Sequence, residues 1–213
     1  MLGSSVTGPS KLRWGSEVGM METMNHLAHV FLAPDTPEAR VGSILGDFCR
    51  GISVADLPGD VQRGVEHHLS VDSYTDRHPQ VCASRRLFSP QRRRFAGVAL
   101  DILYDHYLLK HWHRFTDVDQ DGFIRMIYRE LPEHEYLMPE PMRRVTRRIA
   151  MDDWFGHYRD LDNIGYALDR VAARIRFPNR FDGIIEEIEG HSEELESRFL
   201  WFFQDLQRDA STL

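Results

Sequence analysis

Gly97–Phe115, GVALDILYDHYLLKHWHRF, carries apolar residues at Val98, Leu100, Ile102, Leu103, Leu108, Leu109 and Trp112. At a helical repeat of about 3.6 residues these cover more than one stripe, so the segment reads as a helix packed on most of its circumference. Asp101 and Asp105 lie four apart on one face of it, with His106 beside them. A carboxylate inside a helical core is too costly to leave unpaired, so both need cations. Two readings satisfy them: a divalent metal shared with other helices, or an arginine for each on a neighbouring helix.

The segments around this helix repeat the pattern. From Met24, NHLAHVFLA is a short buried helix ended by Pro34, and Asp35 or Thr36 caps a second helix with Pro37 at its first position. Asp47 falls late in that second helix, on the unfavourable end of the dipole, and Arg50 is the cation nearest in sequence. After Pro58-Gly59-Asp60, a helix that Pro79 stops carries His68, Asp72 and Asp76 at four-residue spacing, aligned on one face. Such a row is either a ligand set or a solvated stripe. Asp117, Asp119, Asp121 and Gly122 imitate the start of a calcium loop, but Tyr128 stands where a bidentate glutamate is needed, so Asp119 or Asp121 is read as a helix cap. Further helices are expected over 122–131, from Glu140 to Trp154 and over 162–176, and a long last one from Phe181 to about Arg208. Strand alternation is absent. The expectation is an all-α fold, a single helical domain of seven to nine helices over 24–213, preceded by a disordered N-terminal extension, 1–23.

Composition excludes several classes. In 213 residues, hydrophobic content of 42% and charged content of 28% are ordinary for a globular domain. No stretch approaches the roughly 18 apolar residues of a membrane span. The beginning lacks the apolar core of a signal peptide. The two cysteines, Cys49 and Cys82, form no ligand or redox motif and fit a reducing cytoplasm. Of 26 basic residues 24 are arginine, and the net charge of −7 comes from 182–209, which holds nine acids against two arginines. Arginines cluster at 85, 86 and 92–94, at 143, 144, 147 and 148, and at 170, 174, 176 and 180, which suggests an anionic partner or pairing with the acidic last helix. There is no phosphate-cradling glycine loop, no GxSxG elbow, no Rossmann fingerprint and no Glu-x-x-His pair, which leaves histidine and aspartate as the chemical inventory.

MNHLAH (24–29), GSILGDFCRG (42–51), HLSVDSYTD (68–76) and DILYDHYL (101–108), in this order and spacing, resemble the acyl carrier protein phosphodiesterases, with WFGHYRDLD and ESRFLWFF also fitting. The resemblance covers about 24–205. It implies a helical fold distantly like the HD phosphohydrolases, and a metal-dependent hydrolase that cleaves the phosphodiester joining 4′-phosphopantetheine to a serine of holo-acyl carrier protein. Manganese is the implied cation, with magnesium as a substitute. The implied partner is holo-acyl carrier protein, with no nucleic acid and no membrane. Matched to the motifs, Asp47, His68, Asp101 and Asp105 are the expected metal ligands, and His29, His106 and Asp72 the expected catalytic groups, a histidine protonating the departing serine oxygen. His26, Glu66 and His157 depart from the family pattern and receive no role. Two other readings stand beside this one: an HD-type phosphohydrolase acting on a nucleotide, and a non-catalytic helical module that binds an acidic protein.

Overall fold

A computed structural model describes residues 26–175, 177 and 179–210. Among them there is no strand, and eleven α-helices follow one another: α1 His26–Leu32, α2 Pro37–Leu45, α3 Gly59–Arg77, α4 Pro79–Leu87, α5 Ala96–Lys110, α6 Gln120–Glu133, α7 Glu140–Met151, α8 Trp154–His157, α9 Leu161–Arg174, α10 Ile185–Gly190 and α11 Ser192–Ala210. The expected extension 1–23 and Arg176 of the third arginine cluster lie outside the described residues. The all-α expectation holds, and the count exceeds seven to nine for local reasons. Pro79 ends one helix by opening another, since a missing N–H is harmless at a first helical position. Asp153 adopts a left-handed backbone, φ 48°, and its side chain caps α8, so the helix expected to reach Trp154 stops at Met151. The long last helix is two, broken at Gly190-His191 where His191 leaves helical geometry. Asp119, the cap of α6, accepts from the Gly122 amide.

The central helix α5 is packed as its composition predicts, with Ala99, Leu100, Ile102, Leu103 and Leu108 at most 1% exposed. It touches α1, α4, α9 and α11. Tyr104 and Tyr107 of α5 pack on Phe199 of α11, with ring centroids 5.2 and 5.5 Å away. Arg40 of α2 is buried and forms a bidentate pair with Glu130 of α6 at 2.7 and 2.8 Å. No helix among the described residues is long and apolar enough to cross a membrane.

The joint between α2 and α3 positions the site. A Cβ on Gly42 would lie 2.3 Å from the Val61 carbonyl oxygen, and one on Gly64 would lie 2.1 Å from that of Ala39. Only glycine at both positions lets the two backbones meet.

Candidate metal centre

Three segments converge. α1 brings His26 and His29, one turn apart and both at most 2% exposed. α3 brings His68 and Asp72. The single 3-10 turn Gly46–Phe48 that follows α2 brings Asp47. Imidazole and carboxylate alternate: His26 Nδ1 lies 3.5 Å from Asp47 Oδ2, Asp47 Oδ1 3.6 Å from His68 Nε2, His68 Nε2 3.2 Å from Asp72 Oδ2, and Asp72 Oδ1 3.2 Å from His29 Nε2. The His29 and His68 rings stack with centroids 3.9 Å apart. Gly46 makes room for this, because a Cβ there would sit 2.3 Å from the His68 ring.

Burial tunes each group. It lowers His26 to about 4, with Asp47 opposing, and it lowers His29 and His67 as well. His68 goes the other way: burial pulls it down, but the Asp72 hydrogen bond and the Asp47 charge outweigh it. Asp72 is pushed far below the carboxylate range, because hydrogen bonds from His29 and His68 overcome its burial. Asp101 is raised to about 7, first by burial and then by Asp72, with Arg85 opposing.

His29, His68 and Asp72 each offer a ligand atom, all within 4.8 Å of one another, which is the span one metal ion bridges. Their chemistry fits a divalent cation. His26 Nδ1 and Nε2 and His29 Nδ1 are buried without a hydrogen bond, and two imidazoles with a carboxylate at one point are held together best by a positive centre. The group could therefore hold a metal.

The remaining expected residues divide. Asp47 joins the cluster, with the imidazoles of His26 and His68 as its neighbours. Asp101 feels the charges of Asp72, Asp47 and Asp76. Asp76 is exposed and paired with Arg85 at 2.5 Å. Asp105 stands apart. At 0% exposure it accepts from the Leu27 amide at 3.1 Å and the Ala28 amide at 2.9 Å, so its two oxygens satisfy first-turn donors of α1. His106 donates Nδ1–H to the Tyr158 carbonyl at 2.8 Å, and the charges around it are Lys110, Glu196 and Asp160, none of them in the cluster. Sequence reasoning passes over His26 and His67, although the three-residue step from His26 to His29 on one helix is a usable signal.

Among known proteins, the family model for acyl carrier protein phosphodiesterase matches residues 24–206. The acyl carrier protein phosphodiesterase of Serratia proteamaculans is 31% identical over 188 residues, 88% of this chain and 97% of that protein. That of Photorhabdus laumondii is 31% identical over 188 residues, 88% and 95% of the two chains. One from Escherichia coli is 30% identical over 196 residues, 88% and 98%. No solved structure matches. The matched span runs from the residues preceding α1 almost to the end of α11 and takes in every group of the histidine–aspartate cluster, so the chain belongs to the acyl carrier protein phosphodiesterase family.

Proposed function

We propose that this protein is a metal-dependent phosphodiesterase that hydrolyses holo-acyl carrier protein to apo-acyl carrier protein and 4′-phosphopantetheine. The observation that carries the reading is the convergence of His29, His68 and Asp72 in a chain of this family. These three would hold the cation, with Asp47 beside His68 and Asp101 beside Asp72. His29, one of the two histidines expected from sequence as the acid for the serine oxygen, is taken here as a ligand instead, because it stacks on His68 and its Nε2 lies 3.2 Å from Asp72. A divalent ion bound there supplies Lewis acidity at the phosphoryl group and an activated water. Manganese suits a shell of imidazole, carboxylate and water. The chain's own groups do the rest: the Ser43 backbone carbonyl accepts from His68 Nδ1 and fixes that ring, and Asp72, 47% exposed, leaves the cluster open to a phosphodiester from one side. In this reading the likeness to HD phosphohydrolases is a likeness of chemistry as well as of helical fold.

Recognition of an acidic carrier protein falls to arginines near that opening. Arg85 pairs with Asp76, one turn beyond Asp72, and Arg86, Arg93 and Arg94 follow on α4 and on the turn leading into α5. Arg92 is taken by Glu187 and the Asp182 carbonyl, and Arg144 and Arg147 by Glu140 and Glu135. A cytoplasmic setting accords with two unpaired cysteines. Mass spectrometry of holo-carrier protein incubated with the enzyme and manganese tests the proposal: conversion to the apo form is expected, and an unchanged holo mass over a long incubation refutes it.

A further inference from the structure

A cavity of about 550 Å³ opens beside the cluster, in the size range of small-molecule sites, and is lined by Phe31, Leu32, His67, Val118, Phe123 and Gln207 among others. The same two helices build the cavity and the cluster. On α1, Leu32 of the cavity lies one turn from His29. On α3, His67 of the cavity precedes His68, is 8% exposed, and has His29 and His68 as its electrostatic neighbours. Its Nδ1 is buried without a hydrogen-bond partner. No residue lining the cavity is an acid, a lysine or an arginine, so the walls suit a neutral occupant with both apolar and amide parts.

We infer that this cavity receives the pantetheine arm of the substrate, the neutral chain of methyl, methylene and amide groups that extends from the phosphate on the side opposite the serine and stays attached to it when the serine oxygen departs. The inference rests on the function proposed above. With the phosphodiester at His29, His68 and Asp72, the serine and the acidic protein stay on the open, arginine-flanked side at Asp72, and the arm runs past Leu32 and His67. The arm is favoured over a fatty acyl chain as occupant because it is joined to the phosphorus through a single ester oxygen, whereas an acyl chain begins only beyond the terminal thiol.

Val118 is 55% exposed at the rim, so a larger side chain there narrows the cavity while sparing the core. Calorimetry with free 4′-phosphopantetheine and with pantetheine, in the presence of manganese, is expected to show both bound by the wild type and both weakened by about tenfold or more in Val118→Trp. Val118→Ala should bind both as the wild type does. Thr116→Trp on the same rim replaces Val118→Trp if that variant melts early. Unaltered binding of pantetheine and its phosphate by a folded tryptophan variant overturns the inference. So does a variant impaired only on acylated carrier protein, which would assign the cavity to the acyl chain. Pantetheine lacks the phosphate and reads the cavity independently of the cluster, so an enzyme that binds pantetheine but hydrolyses no phosphodiester refutes the proposed function and not the cavity.

Discussion

The Nδ1 of His68 lies 2.7 Å from the Ser43 carbonyl oxygen. A carbonyl can only accept, so Nδ1 carries the proton and Nε2 presents its lone pair to Asp72 and Asp47. Facing two carboxylates, Nε2 needs either a second proton, which makes an imidazolium, or a metal ion. The backbone contact is the orienting bond that metal-binding histidines use. Protons and cations therefore compete for this nitrogen.

Asp72→Asn tests the cluster directly. It keeps the volume and removes the charge that both His29 and His68 face. Turnover of holo-carrier protein is expected to fall by about 10²-fold or more, and the rise in melting temperature on adding manganese to disappear. Magnesium should restore chelated wild type less well than manganese. A variant that keeps the full manganese-induced rise places the ion elsewhere.

Asp105→Asn should behave in the opposite way. Its carboxylate holds two buried amides of α1, and an asparagine NH₂ turned toward either leaves a donor without an acceptor. The expected loss is about 1–3 kcal/mol of stability, the cost of a buried unsatisfied group. The manganese-induced rise should survive. Thermal melts with manganese and with chelator decide it, and loss of that rise in a folded variant would make Asp105 a ligand, as the motif match implies.

Stability without metal should depend on pH through Asp101. Burial, reinforced by Asp72, raises its carboxyl to about 7. The folded state then holds this proton more tightly than the unfolded chain, so the contribution is complete below about pH 4 and is lost as pH rises through about 7. His26, lowered to about 4 by burial, acts in the other direction over about pH 4–6.5, so the comparison must be between variants. From pH 5 to 8 in chelator, the melting temperature of wild type is expected to fall relative to that of Asp101→Asn. Parallel curves would show that Asp101 does not titrate there.

Reversing charge at Arg93 with Arg94 should raise KM for the carrier protein more than reversal at Arg144 with Arg148, because the first pair lies on the turn that opens α5, the helix carrying Asp101, and the second lies on α7. The effect should shrink with added salt. A small phosphodiester should not register it, and an equal effect of the two pairs would move the docking face.

Helical periodicity makes part of this site legible in the sequence. His68 and Asp72 are four apart on one helix, and such pairs share a face whatever the tertiary context. His29 and Asp47 can be placed only through their motifs, because which helices meet is decided by packing, here by glycines at 42 and 64. Asp105 shows the limit most clearly: its partners are amides 77 and 78 residues away, and an α-helix end that borrows its cap from another helix leaves no local signature. His26 lies on a readable face, yet only its contact with Asp47 shows what it serves. α4 is hidden because a proline after a helical stretch marks an end and a beginning alike, and Pro79 is both.

Replacing helical glycine by alanine is a common way to make a protein more heat-resistant, with a propensity gain of up to about 1 kcal/mol per site. In this chain the glycines divide by what a methyl group would strike. At 42 and 64 it would meet a backbone carbonyl, and at 46 the imidazole of His68, whereas at Gly59 and Gly190 nothing lies within 4 Å. Sturdier variants are therefore to be built from the outer ends of α3 and α10, since the glycines nearest the cluster have already traded helix propensity for the approach of α2 to α3.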